Sequence, residues 1–466
     1  MTSSMKILPA RPLFTTRKLV HISMLGFAFL LPFLTWEEAA GAAILALLFN
    51  LYVLPQMNAD LSKHPSVQQG PEAAVPAATI AQPAGTWTGI ILYPISVLAL
   101  ILLYRHQMYV AAAAWAVMAL GDGMASVSGE SLGGPRLPLN PQKTWTGAAG
   151  FVIFGAAGAY GLIRWVGPSI PPHRAAGLTL MTALVGAVVE SLPIRLDDNV
   201  TVPLISGAFL YCAAMFARSA LESNLPYLGH RIILALIVNA LLALVAISLR
   251  LVTRLGAGMG FILGMAVYLG YGYKSFLLLL AFFALGSAAT RLGYAAKAAR
   301  GIAERRRGAR SWQEAAANVL AAAFFSILVI TTHHERAFLL ATIAVFAEAC
   351  GDTVASEIGQ WLSLRAYLVT TFAVVSAGEN GGVSFAGSAT GILASALIVA
   401  LGWALGLSTL GGAAVTLGAA VAGNFIDSFL GATLERRRLL GNGAVNFAST
   451  CFAGALALAW ALHVGY

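Results

Sequence analysis

Charge is scarce in this chain. Asp, Glu, Lys and Arg make up 10% of its 466 residues, against about 25% in a soluble domain, so one long water-soluble domain is excluded. Cysteine is scarcer still: Cys212, Cys350 and Cys451 stand far apart. They show no CxxC or Cys/His spacing, which excludes a thiolate zinc site and leaves them as packing residues. His333 and His334 have no matched third ligand and are set aside as a metal site. The first apolar run follows Arg17 and Lys18 and reaches Thr35 without a small-residue cleavage site, so a retained first helix is expected rather than a cleaved signal peptide.

Apolar residues are what the chain has in plenty. They make up 59% of it, the mean hydropathy is +0.80, and runs recur near the roughly 20 residues that a helix needs to cross the hydrocarbon core. The pattern predicts about fifteen helices, near 17–34, 39–56, 87–104, 108–121, 145–165, 174–192, 199–217, 230–250, 255–272, 274–290, 313–331, 336–350, 383–408, 410–432 and 444–463. The expected fold class is all-α, a polytopic transmembrane helical protein in two related halves, 1–222 and 223–466.

The formal net charge of +9 comes largely from Arg and Lys between the apolar runs. That distribution marks cytoplasmic loops meeting anionic headgroups, with membrane lipids as partners and no nucleic acid. Fifteen crossings that begin with Arg17 and Lys18 inside also bring Arg250, Arg254 and the basic stretches 291–310 and 436–438 inside. The same path brings 122–143, 190–199, 352–382 and 427–446 to the cytoplasmic face. An integral protein of a bacterial inner membrane is expected, its N-terminus cytoplasmic. The Pro-, Gln- and Ala-rich stretch 57–85 reads as a linker on that side.

Acidic residues recur in a shared pattern. G-D-x-x-A-S-x-x-G stands at 121–129 and again at 351–359, each time closing an apolar helix. If the helix runs on through the pattern, Asp122, Ser126 and Gly129 share one face, as do Asp352, Ser356 and Gly359, joining a carboxylate to a hydroxyl and a close-approach surface. A hard cation such as Mg²⁺ takes carboxylates together with substrate phosphates. Each copy is followed by a glycine-rich re-entry into the membrane: Asn140 to Gly147 with Lys143, then Asn380, Gly381, Gly382 and Ser384. Backbone N–H groups at such helix starts are suited to anions, and Lys143 would add charge. Glu190 and Asp427 then close further apolar helices, ahead of polar segments holding Asp198 and Asn199, and Asn446. One carboxylate of each unit would hold metal while another orients or deprotonates a hydroxyl, a division general to phosphoryl transfer. Arg17, Lys18 and His21 crowd the first helix, suited to headgroup anchoring or to a nucleotide or lipid phosphate.

At these residues, roughly 15–217, the chain resembles the phytol kinase and dolichol kinase family, through Arg17 to His21, 121–129, 140–147 and the block from Glu190 to Leu204. Roughly 230–466 resembles the membrane family that includes plant phytyl-phosphate kinase, through 351–359, 378–384 and 427–434. The family commonly carries a basic residue where this chain has Glu130; Arg136 or Lys143 would have to supply that charge. The resemblance implies a fused pair that uses CTP, or ATP, with Mg²⁺ to phosphorylate phytol or a related isoprenoid alcohol to its phosphate and then its diphosphate. Asp122 and Asp352 would hold the metal-bound phosphate with Glu190 and Asp427 as further ligands or acceptor-orienting groups, while Lys143 and the glycine turns cradle phosphate. Two other classes fit parts of the pattern: a CTP-dependent phospholipid cytidylyltransferase, and a lipid transporter or flippase built from repeats.

Overall fold

Short polar punctuation sets the helix starts. The Thr35 hydroxyl accepts from the Glu38 N–H while the Glu38 carboxylate accepts from the Thr35 N–H, and Ser311 and Glu314 repeat the arrangement. Thr144, Thr253, Ser384 and Thr409 each cap a helix by accepting from the N–H three residues on. These bonds satisfy backbone donors that a helix start leaves open, which matters most where no water can reach them.

The computed structural model describes residues 16–56, 84–193, 196–304 and 308–466. Positions 57–83 of the linker, the Arg17 side chain and three arginines of the basic loop, 305–307, lie outside the described residues. The chain divides into two compact units, Met1–Ala214 and Met215–Tyr466.

In the first unit, α1 (Thr16–Ser23) runs on as a tighter helix over Met24–Phe33. It is followed by α2 (Trp36–Gln56), α3 (Ala84–Leu103), α4 (Met108–Leu132), α5 (Trp145–Val166), α6 (Pro172–Ser191) and α7 (Asp198–Ala214). The second unit holds α8 (Arg218–Ser248), α9 (Arg254–Tyr271), α10 (Tyr273–Arg291), short α11 (Tyr294–Ala299), α12 (Trp312–Thr331), α13 (Glu335–Leu362), α14 (Phe385–Ala404), α15 (Leu410–Glu435) and α16 (Asn442–His463). Every expected helix is present. Among the described residues, eleven are long and apolar enough to cross a membrane. The protein is therefore a polytopic helical membrane protein.

The element carrying each acidic motif is the innermost of its unit. The apolar window of α4 is 78% buried and that of α13 89%, against 11% for α8, so α4 and α13 are cores and α8 is a lipid-facing wall. Small residues allow this: Ala111 to Ala114 in α4, and Ala341, Ala344 and Ala347 in α13, are fully buried, letting neighbouring backbones close in. In each unit the three helices that follow the core helix pack on it: α5, α6 and α7 on α4, and α14, α15 and α16 on α13.

Two details differ from the sequence reading. The acidic motifs do not close their helices: α4 continues to Leu132 and α13 to Leu362, ten residues past Asp122 and Asp352. At 28 residues, α13 is about 42 Å long at 1.5 Å per residue, so it outreaches a hydrocarbon core of about 30 Å. Second, the glycine-rich re-entry before α14 contains a small antiparallel sheet, β1 (Arg365–Leu368) between β2 (Val374–Ser376) and β3 (Gly382–Val383). Tyr367 pairs with Val374, and Leu368 with Gly382. The alternation of buried Ala366 and Leu368 with exposed Arg365 and Tyr367 is what a one-sided strand requires.

Candidate functional site

In the first unit, three carboxylates from three helices converge. Asp122 on α4, Glu190 near the end of α6 and Asp198 at the start of α7 each offer an oxygen within 4.8 Å of the others. The continuous helix aims Asp122 inward. The α6–α7 turn brings Glu190 and Asp198 back to face it. Between them stands Lys143, whose ammonium donates to Glu190 Oε1 at 2.7 Å and to Asp198 Oδ2 at 3.2 Å. The loop before α5 holds that lysine: the Leu137 N–H donates to the Lys143 carbonyl, the Lys143 N–H donates to Asn140, and Arg136 donates to the Gln142 carbonyl. Burial on its own would lower the Lys143 pKa, but the Glu190 and Asp198 carboxylates outweigh it and hold it above the ordinary lysine value. Lys143 therefore binds the carboxylates directly.

Around this centre, His21 Nε2 lies 3.7 Å from Asp122 Oδ2 and 3.3 Å from the Met118 carbonyl. The His21 ring meets Tyr93 edge-on, and Tyr93 accepts from the Trp115 indole at 2.7 Å. Asn199 is buried, and among the described residues its side-chain oxygen finds no partner. Lys18 pairs with the unusual Glu130, its ammonium 2.7 Å from the carboxylate. Ser126 sits half-buried one turn after Asp122. Gly129 and Gly147 serve helix contact: a Cβ on Gly129 would stand 2.9 Å from Thr144 Oγ1, and one on Gly147 3.0 Å from the Ala125 carbonyl.

The second unit repeats that contact with other residues. A Cβ on Gly359 would lie 2.9 Å from Ser384 Oγ, and one on Gly387 2.6 Å from the Ala355 carbonyl, while Ser384 caps α14 as Thr144 caps α5. Asp352 interacts with the charges of Asp427 and Arg310, and Asp427 accepts from Ser449 at 3.3 Å. Asn446 donates to Asn318 at 3.2 Å, leaving its own oxygen unpartnered. Ser356 is exposed and donates to its helix backbone. Asn380 lines a polar recess of about 500 Å³ with Glu379, Glu435, Arg436 and Arg438. Gly381 holds φ +73°, and a Cβ there would strike the Ala432 backbone, so this loop packs directly on the end of α15. Gly382 belongs to β3.

Three participants were missed in the sequence. Glu348 is 1% exposed, and among the described residues neither of its oxygens has a hydrogen-bond partner; it stands four residues before Asp352 on α13. Its signal was legible, since it precedes Asp352 by four residues and so shares its helix face. Arg310, read only as part of a basic loop, donates to Thr290 Oγ1 at 3.1 Å and lies 3.7 Å from Glu314. Lys297 on α11 pairs with Glu357, both buried, while also donating to the Ala289 and Thr290 carbonyls; nothing local in the sequence foretold that pairing across 60 residues.

The fold and these buried carboxylate centres define a class, the polytopic helical membrane proteins with polar sites built into their helix bundles. The chain belongs to a known one among them, the integral membrane protein family DUF92, whose model matches residues 237–454. It is 34% identical over 229 residues to an uncharacterised membrane protein of Synechocystis, covering 48% of this chain and 89% of that one. It is 36% identical over 220 residues to the chloroplastic protein VTE6 of Arabidopsis thaliana, covering 45% of this chain and 66% of the relative. Phytol kinase 1 of Arabidopsis thaliana is 39% identical over 95 residues, 19% of this chain and 31% of that enzyme. No solved structure matches the chain.

Proposed function

We propose that the protein is a nucleoside-triphosphate-dependent kinase of isoprenoid alcohols such as phytol, with CTP the expected donor. In this reading the first unit makes the monophosphate and the second adds a further phosphate to give the diphosphate. The observation that carries it is the meeting of Asp122, Glu190 and Asp198 around Lys143 in a chain related to a phytol kinase.

In the first step the alcohol oxygen bonds to the γ-phosphorus as the bond from that phosphorus to the β–γ bridging oxygen breaks, releasing nucleoside diphosphate. The hydroxyl proton passes to the Glu190 and Asp198 pair, with Lys143 fixing both carboxylates in place. Three carboxylates face one ammonium, so the centre keeps a negative excess that fits a divalent cation; Asp122, Glu190 and Asp198 would hold Mg²⁺, and Asp352 and Asp427 would do so in the second unit. Bound there, Mg²⁺ supplies neutralisation of phosphate charge. The second step differs in its acceptor. A phosphate monoester is already anionic and needs a cation beside it more than a base, and Arg310, which meets Gly286 on the side where Gly286 meets Thr353, would supply it.

The test is purified protein in proteoliposomes with phytol and labelled CTP or ATP. A phosphate increment on the lipid, then a second, is expected. A nucleotidyl-lipid with pyrophosphate release would replace this reading with cytidylyl transfer, and lipid movement without any product would replace it with transport.

A further inference from the structure

An apolar cavity of about 360 Å³ lies inside the second unit between α8, α9, α10 and α12, within the size range of small-molecule pockets. Its walls are Leu242, Ala243 and Ala246 of α8, Gly260 and Phe261 of α9, and Leu279, Leu280 and Phe283 of α10, among others. It has a direction. At one end Asn239 and Phe276 meet beside Gly264; at the other Arg310 stands beside Gly286 and Glu314. Asn239 turns its amide nitrogen onto its own helix, donating to the Ala235 carbonyl, so the charged groups gather at the Arg310 end alone. From Phe276 to Ser287 the wall runs eleven residues, about 16 Å at 1.5 Å per residue.

The charged end abuts the acidic centre. A Cβ on Gly286, in the cavity wall, would stand 3.3 Å from Thr353 and 3.8 Å from an Arg310 nitrogen, and Thr353 adjoins Asp352 on α13. Arg310 is held by Thr290 Oγ1 at 3.1 Å and by Glu314 at 3.7 Å. Asn318 is the residue that accepts from Asn446. A long apolar slot that ends at Arg310, with Glu314 balancing only one of its nitrogens and Thr290 holding another, has the polarity of one ligand class: a branched hydrocarbon chain bearing a phosphate. The outer wall, α8, is the most lipid-exposed of the long helices, so the slot lies one helix away from the hydrocarbon in which such a chain dissolves.

We propose that this cavity binds the chain of an isoprenoid monophosphate, with the phosphate against Arg310 and the tail toward Phe276 and Asn239. The proposal rests on the kinase reading and names the acceptor site of its second step. Gly260 gives the handle, because a Cβ there meets nothing within 4 Å, so a larger side chain starts from open space on the slot wall.

The experiment is photolabelling of the full-length protein in nanodiscs with a diazirine-bearing farnesyl monophosphate, followed by peptide mapping. Label on the α8 and α10 peptides that line the slot is expected, reduced at least fivefold by unlabelled geranylgeranyl monophosphate and by Gly260→Trp. Leu241→Trp on the exposed face of α8 should leave it unchanged, and both variants should keep the wild-type melting temperature within a few degrees. If Gly260→Trp melts early, Ala243→Leu takes its place. Labelling confined to lipid-facing positions, labelling undiminished by slot-filling variants, or equal competition by a straight-chain alkyl phosphate would overturn the proposal. Because labelling needs no turnover, occupied slot without phosphate transfer would sink the kinase reading alone, and transfer without occupancy would sink only the slot.

Discussion

Asp122 and Lys143 show how much one side chain decides here. Asp122 is the only one of the three clustered carboxylates that Lys143 does not hold, so of the three proposed metal ligands it is the one whose charge no ammonium offsets. Asp122→Asn should lower kcat for monophosphate formation about 10²–10³-fold, the range for losing one preorganised electrostatic group, with a normal melting temperature. Full first-step activity in that variant would end the assignment. Lys143 carries a pH signature as well. Its folded pKa is raised, so its stabilising contribution is complete below the ordinary lysine value of about 10.4 and is lost only as pH climbs through the higher folded value. The pH–rate profile of the first step should therefore show no alkaline limb below about pH 10 that Lys143→Arg shifts. The Lys18 to Glu130 pair is a contrast: Glu130 is largely exposed, and Glu130→Ala should change stability by about 1 kcal/mol or less in thermal unfolding.

At the scale of elements, the contact of each core helix with its successor depends on paired glycines. Gly129→Leu or Gly359→Leu would press a branched side chain onto the capping hydroxyl of the next helix, at Thr144 or Ser384. A loss of about 1–3 kcal/mol is expected from such overpacking, read as an earlier melting temperature in detergent. Short α11 is fastened to α13 chiefly by charge. Lys297→Met leaves Glu357 buried and alone, which should cost about 3–5 kcal/mol, whereas Lys297→Met with Glu357→Leu should recover most of that. Equal destabilisation by the single and double variants would mean the pair is not what holds α11. Much of this scale was legible beforehand: apolar run length and capping residues located all fifteen helices. Where α4 and α13 would end was not, because a helix with a buried polar face looks in sequence like a helix that has stopped.

For the whole molecule, the two units predict separable chemistry within one chain. Asp352→Asn in the full-length protein should let lipid monophosphate accumulate, while Asp122→Asn should block phytol yet still convert added monophosphate. Product mass analysis distinguishes the two, and a variant at either centre that abolished both steps would contradict a division of labour. The candidate sites themselves were half legible. Scarcity singled out Asp122, Glu190, Asp352 and Asp427, because an ionisable group among apolar helices is costly to keep there without a role. The same logic passed over Arg310 and Lys297, since a basic residue beside an apolar run has an ordinary explanation in membrane orientation.

Sequence alone determined the solvent this chain folds in, the order of its long apolar helices and the recurrence of its acidic motif, because each depends on local composition over about 20 residues. Only the tertiary structure decided that Lys143 faces carboxylates, that Lys18 answers Glu130, that Lys297 pairs with Glu357, and that an apolar slot ends at Arg310. Those facts depend on which helix faces meet, and apolar surface looks the same in sequence whether it will face lipid, a neighbouring helix or a ligand.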